Sequence, residues 1–142
     1  METVQQLLDK KGHEVWSVRP DDSVFDAIKK MADKKIGSLV VLVDHQIVGI
    51  ITERHYARSV ILEGKSSLKT PVRDIMATRV VCARIDQTIE ECMAVMTEKR
   101  IRHLPVVDQE RLLGVVSIGD LVKSTIADQK FTIEQLTDYI QG

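Results

Sequence analysis

Ser117 and Asp120 stand three residues apart in the run Gly114-Val-Val-Ser-Ile-Gly-Asp120, and their types and spacing suit two kinds of chemistry. On a helix, that spacing puts the hydroxyl and the carboxylate on one face. A hydroxyl that donates and accepts, beside a carboxylate that only accepts, suits the two O–H groups of a vicinal diol. The same pair also fits a helix start, with serine as the N-cap and an acid three positions on. Ahead of it come a valine-rich run, Leu104-Pro-Val-Val-Asp108, and a charged turn, Gln109-Glu-Arg111. Leu112 to Ser117 therefore reads as the second strand of a hairpin that feeds a helix.

The segment occurs twice. Gly49-Ile-Ile-Thr-Glu-Arg-His55 aligns with it at an offset of 65 residues, and the offset holds without a gap from Val15/Val80 to Ile61/Ile126. Identities include Arg19/Arg84, Asp21/Asp86, Met31/Met96, Ile36/Ile101, Leu39/Leu104, Val41/Val106 and Ser59/Ser124, largely apolar or turn positions. This period is too long for a solenoid unit and indicates two copies of one small domain.

Each copy spells the same elements. An amphipathic turn or helix, Thr3 to Lys10, comes first; an extended piece, Val15 to Val18, ends in a turn at Arg19-Pro-Asp-Asp22. Ser23 caps a helix to about Lys35 with Val24, Ala27, Ile28 and Met31 inward, and Gly37 ends it. Ser38 to Val43 and Ile47 to Thr52 form a hairpin, followed by a helix from Glu53 to Glu63 with Tyr56, Val60 and Ile61 on its apolar face. Gly64 to Thr70 reads as a linker, poor in residues that could be buried. Pro71 to Met76 opens the second copy, in which Thr88 repeats the cap and Ile89, Cys92, Met93 and Met96 repeat the stripe. A helix from Ile118 to about Asp128 and a separate one from Thr132 to Ile140 complete the chain. The reading is an α/β (α+β) fold of two β-α-β-β-α repeats related by a pseudo-twofold, plus a C-terminal helix. Its expected divisions are 1–63 with the N-terminal helix, the linker 64–70, 71–128, and 129–142.

Composition narrows the function. A net charge of −1 leaves no basic footprint for nucleic acid. No apolar run reaches bilayer length and the N-terminus lacks a signal-peptide pattern, so a cytoplasmic protein without a membrane partner is expected. Cys82 and Cys92 read as reduced, buried thiols. The four histidines lack metal-ligand spacing, and Ser117, His103 and Asp120 lack the glycine-x-serine-x-glycine turn of a nucleophile, so no catalytic residue, metal or catalytic cofactor is expected.

With Val72-Arg-Asp-Ile-Met76, Ile101-Arg-His-Leu-Pro-Val-Val-Asp108 and the glycine-to-aspartate signature ending at Asp120, the chain resembles the tandem cystathionine-β-synthase (CBS) domain pair, or Bateman module, of the small stand-alone bacterial type. The resemblance spans roughly residues 4 to 127 and implies an adenine-containing ligand (AMP, ADP, ATP, NAD(H) or S-adenosylmethionine) in clefts between the repeats. It gives Asp120 and Ser117 the ribose in one site and Thr52 and His55 the matching places in the other. Thr78, Val80, Cys82, His103, Leu104 and Pro105, and in the first repeat Ser17, Gly37, Ser38 and Leu39, would line the base. Arg54, Arg58, Arg102, His103 and Lys123 would meet phosphate, which guanidinium groups grip bidentately.

His55 departs from the pattern, because an imidazole cannot hold two hydroxyls as a carboxylate does. That site is weak or empty, or His55 faces phosphate, or it is a solvated histidine. The function implied is a nucleotide-responsive regulator of an unknown partner protein; the alternative is a structural module without a ligand. A homodimer is expected on either reading.

Overall fold

The chain folds as a computed structural model that describes residues 2–141. Two units divide it: one holds Glu14–Val81 and Gln109–Leu112, the other the N-terminal stretch through His13, Cys82–Asp108 and the chain from Leu113 onward.

In the first unit, β1 (Ser17–Val18) runs parallel to β2 (Ser38–Val43), which pairs antiparallel with β3 (Gln46–Thr52). Asp44 and His45 turn the hairpin with φ of 49° and 66°, the two positive values of a type I′ turn. Helix α2 (Val24–Lys34) links β1 to β2. The Ser23 hydroxyl caps it, accepting from Asp26 N–H at 3.1 Å. Its end differs from expectation, since Lys35 rather than Gly37 breaks the helix, in the left-handed region at φ 57°. Val24, Ala27 and Met31 of α2 bury against Leu39, Val41, Ile51, Val60, Val72 and Ile75. Each of these side chains larger than alanine contributes about 1.5–3 kcal/mol of apolar burial.

Past β3, α3 (Glu53–Tyr56) gives way to a π-helical turn over Ala57–Ile61, with Leu62 N–H reaching back five residues to Ala57 C=O at 3.1 Å. The extra residue shifts the register of the face: Val60 is buried, while Ile61, expected beside it, is 57% exposed.

The linker expected at 64–70 is not free. Ser67 and Thr70 offer their carbonyls to Phe25 and Val24 N–H, both at 2.9 Å, satisfying donors that the start of α2 leaves open. The lead-in of the second repeat follows onto the same unit: Val72 N–H bonds Asp22 C=O at 2.8 Å, and Ala77 exchanges two bonds with Ile50, at 2.9 and 3.0 Å.

The other unit repeats this with the chain's own beginning. Helix α1 (Val4–Lys11) starts from a Thr3/Gln6 capping box; Val4 N–H bonds Gln87 C=O, and Ile89 N–H bonds Glu2 C=O. The placement of α1 with 1–63 is thereby corrected: each lead-in segment packs on the other repeat. Leu8 lies where a Cβ on Gly114 would go, as Met76 lies against Gly49. Helix α4 (Ile89–Lys99) buries Ile89, Cys92 and Met96, and β4 (His103–Asp108) pairs with β5 (Arg111–Ser117). The counterpart of β1 shrinks to a single parallel bridge, Ala83 to Val106. Proline explains the loss: Pro105 stands where Val40 pairs with Ser17, and it has no N–H to continue the ladder.

Helix α5 (Ile118–Gln141) corrects the division at 129, because the two expected helices are one continuous element of 24 residues. No turn residue interrupts it, and Leu121 and Ser124 anchor its first half while 126–141 are exposed. Cys82, expected buried, is exposed. Among the described residues no helix is long and apolar enough to cross a membrane, and no group of three potential ligands could hold a metal ion.

Candidate functional site

The Ser117–Asp120 pair forms the cap of α5. Ser117 N–H donates to Asp120 Oδ2 at 2.8 Å, and Asp120 N–H donates to Ser117 Oγ at 3.2 Å. The reciprocal bonds lock both side chains at the mouth of the helix. Before them, Ile118 N–H bonds Arg102 C=O at 2.9 Å, tying the start of α5 to the start of β4.

A third group joins that was not expected. Lys11, the last residue of α1, places Nζ 2.6 Å from Asp120 Oδ2 and 2.6 Å from Val115 C=O. The side chains of Lys11 and Asp120 are 37% and 20% exposed, so the pair is reachable from solvent. Burial works to raise the Asp120 pKa, but the bonds from Lys11 and from Ser117 N–H outweigh it and hold the carboxyl below its usual value. His103, at the start of β4, is pushed the other way from a cation: burial first, then Lys11 and Arg102, favour the neutral ring against the opposing pull of Asp120. The charge pattern is thus an anchored carboxylate, a neutral imidazole, and ammonium and guanidinium groups beside them.

The first repeat builds the same start from different residues. Thr52 N–H donates to His55 Nδ1 at 3.1 Å, and His55 N–H donates to Thr52 Oγ1 at 3.3 Å. Glu53 N–H bonds Gly37 C=O at 3.2 Å, as Ile118 does Arg102. A ring nitrogen that accepts an amide proton carries none, so the neutral ring holds its proton on Nε2. Burial, then Arg54 and Arg58, lowers the His55 pKa in the same sense. Of the three readings left open for His55, a freely solvated histidine is corrected: it is half-buried and serves as the capping acceptor.

The remaining expected residues fall as follows. Arg102 and Lys123 are exposed in the unit that holds Asp120, and Leu104 and Pro105 are buried there, with Pro105 C=O already accepting Ala83 N–H at 2.8 Å. Arg54 and Arg58 are exposed near His55; Ser17, Gly37, Ser38 and Leu39 lie in the same unit, where Ser17 C=O accepts from Lys30 Nζ at 2.6 Å. Thr78 and Val80 belong to the unit of the first repeat, not to the one that holds Asp120. Sequence reasoning missed Lys11. A basic last turn on α1 was the only signal, and nothing local says that a residue 109 positions away meets it.

The family model for the CBS domain matches residues 8–61 and 72–126. A CBS domain-containing protein of Arabidopsis thaliana, CBSX3, described as mitochondrial, is 35% identical over 99% of this chain and 72% of its own length. The structure of a putative signal-transduction protein with CBS domains from Burkholderia ambifaria is 50% identical, with a TM-score of 0.87, over 90% of this chain and 96% of that one. The CBS domain pair of protein MJ0100, solved with 5′-methylthioadenosine and S-adenosylmethionine, shares the fold with a TM-score of 0.79, 22% identity, and coverage of 90% of this chain and 98% of that one. The two matches fall on the two copies read from the offset of the repeat, and the chain belongs to the CBS-domain family as a tandem pair.

Proposed function

We propose that this chain is a cytoplasmic, non-catalytic regulatory module that binds an adenine nucleotide (AMP, ADP, ATP or NAD(H)) or S-adenosylmethionine through Ser117 and Asp120, and reports energy or redox state to a partner protein. One observation carries the reading: Asp120 is an ionised, fixed and accessible carboxylate next to a fixed hydroxyl, the complement of a ribose diol. That a CBS pair of the same fold holds two adenosine-containing ligands supports the class of ligand. Arg102, His103 and Lys123 are the groups we assign to phosphate, and His103, Leu104, Pro105 and Cys82 to the base. In the first repeat, His55 spends its one acceptor nitrogen on Thr52 N–H and keeps none for a diol, so we assign that site the weaker binding. Arg54 and Arg58 serve phosphate there, beside Ser17, Gly37, Ser38 and Leu39.

Thermal unfolding with AMP, ADP, ATP, NAD, NADH and S-adenosylmethionine tests this, with Asp120→Asn as the control that keeps an acceptor for Ser117 N–H. A ligand at 100 times its dissociation constant stabilises by about 2.7 kcal/mol. A shift in wild type that Asp120→Asn abolishes supports the reading; no shift with any ligand refutes it.

A second reading has its own observation. Ile126, Ile133, Leu136 and Ile140 recur at helical spacing on α5 and are 56–80% exposed. They suit an assembly module that pairs with a second copy whether or not a ligand binds. Light scattering on wild type and Ile133→Glu/Leu136→Glu reads this directly: a dimer that the double variant splits supports pairing through α5.

A further inference from the structure

We infer that Lys11 is a ribose-binding residue, the donor half of a lysine–aspartate clamp on the diol. The inference rests on the proposed function above and assigns a group to the same site. A hydroxyl has one proton to give and two lone pairs to fill. A carboxylate alone answers only the first need. In the Lys11–Asp120 pair both needs are met within 2.6 Å of one another.

The hydrogen-bond inventory supports it. An ammonium group has three protons. Two are committed, to Asp120 Oδ2 and to Val115 C=O. Among the described residues the third has no acceptor, and Asp120 Oδ1 likewise has no donor. A ribose hydroxyl that gives its proton to Oδ1 and accepts one from Nζ completes both without breaking either existing bond. The second hydroxyl gives its proton to the other lone pair of Oδ1, since Oδ2 already accepts from Lys11 and from Ser117 N–H.

The Val115 bond shows that the ammonium is held in place rather than passing through. Ile50 is the counterpart of Val115 at the repeat offset, and its carbonyl accepts the backbone N–H of Ala77 at 2.9 Å. In the second repeat a side-chain ammonium makes the bond that a fixed amide makes in the first. The price of ordering a lysine side chain is therefore met before any ligand arrives. His103, kept neutral by its burial and by Lys11, does not compete for the carboxylate.

The test measures affinities of AMP, ADP and ATP and of their 2′-deoxy analogues, by calorimetry, for wild type, Lys11→Met and Lys11→Arg. Wild type should prefer the ribonucleotide by about tenfold or more, the size of one lost hydrogen bond to a charged group. Lys11→Met should weaken ribonucleotide binding about tenfold, leave the deoxy analogues nearly unchanged, and so collapse the preference; Lys11→Arg should restore part of it. A lowered melting temperature with the preference intact would make Lys11 structural only and overturn the inference. Tighter binding by Lys11→Met would make it a plug that ligand must displace, which also overturns it. If wild type binds none of the six, nor NAD nor S-adenosylmethionine, the nucleotide reading itself falls and this inference with it. If only NAD or S-adenosylmethionine binds, an affinity equal in wild type and Lys11→Met overturns the inference alone, and an equivalent tenfold loss supports it.

Discussion

Replacing His55 by aspartate would give the first repeat the cap that the second already has. In wild type the acceptor for Thr52 N–H is a neutral imidazole nitrogen at 3.1 Å; in the second repeat it is a carboxylate oxygen at 2.8 Å. A net hydrogen bond between neutral groups contributes about 1 kcal/mol, and a charge-assisted one roughly twice that. His55→Ala should therefore cost about 1 kcal/mol at pH 7.5, and His55→Asp should gain about 0.5–1 kcal/mol, helped by Arg54 and Arg58, which now repel a charged ring and would attract a carboxylate.

The same substitution changes the response to acid. Burial, then the two arginines, lowers the His55 pKa in the folded chain, so below the unfolded value of about 6.5 the unfolded state binds more protons than the folded one. The stability that this ring contributes is present above about pH 6.5 and drains as pH falls, because a protonated Nδ1 can no longer accept from Thr52. One such group can cost at most about 1.4 kcal/mol per pH unit. Urea unfolding at pH 7.5, 6.5 and 5.5 should show wild type losing stability on the way down, with His55→Asp losing less and its advantage widening at pH 5.5. His103 is lowered too, so the comparison is repeated in a His103→Gln background to isolate the His55 contribution. If His55→Ala is as stable as wild type at pH 7.5 and has the same acid slope, the capping role of the ring is refuted.

Other expectations are equally concrete. Lys35 and Arg100 end α2 and α4 at φ of 57° and 56°, so Lys35→Gly and Arg100→Gly should each raise unfolding free energy by about 0.5–1 kcal/mol in urea, a site at which alanine would give nothing. A Cβ at Gly49 would lie 2.9 Å from Ala77 O and 2.6 Å from Met76 Sδ, whereas the nearest atoms to one at Gly114 belong to the flexible Leu8 side chain, the first at 2.8 Å. Gly49→Ala should therefore cost about 1–3 kcal/mol and Gly114→Ala less, and the reverse order in calorimetry would count against the backbone packing described. Asp120 and Glu2 each have burial raising the carboxyl pKa and bonded partners lowering it further, so both contribute stability that is lost as pH falls below about 4; acid unfolding of Asp120→Asn should start from lower stability and fall less steeply there.

Much of the architecture was legible because the repeat printed it twice. The expected caps Ser23, Thr88 and Ser117 all accept the N–H three residues on, each a local signal complete within four residues; Thr3 and Thr52 cap in the same way, although neither is read as a cap from the sequence. What escaped is what local patterns do not encode. Both lead-in segments look like the start of the repeat that follows them, yet Glu2–Lys11 and Thr70–Ala77 bond to the repeat that does not. Nothing in their periodicity names the partner. The π-helical turn at Ala57–Ile61 moved Ile61 off the apolar face by a single residue, a change of hydrogen-bond ladder that a 3.6-residue period cannot anticipate. At the site, Ser117 and Asp120 were readable because three residues separate them, and Lys11 was not, because its partner comes from the far end of the chain.

Among the positions at which the two repeats differ, His55/Asp120 changes the group that caps the helix. Thr52 and Ser117 are interchangeable as caps, and the capping bond survives whether the residue three places on is histidine or aspartate. Folding therefore tolerates either, with the carboxylate the better cap by about 0.5–1 kcal/mol. A diol does: the carboxylate of Asp120 keeps Oδ1 open among the described residues while Oδ2 holds the cap, but an imidazole that spends Nδ1 on Thr52 has only an N–H left to offer. The cap consumes all of the acceptor capacity of His55 and only part of that of Asp120. On the function we propose, this difference is what assigns the diol to the second repeat. If His55→Asp creates a second binding event per chain in calorimetry with ATP, acceptor capacity is what separates the two sites. If it stabilises the protein without adding one, the first repeat lacks more than a carboxylate, and a cation placed as Lys11 is placed becomes the next residue to install.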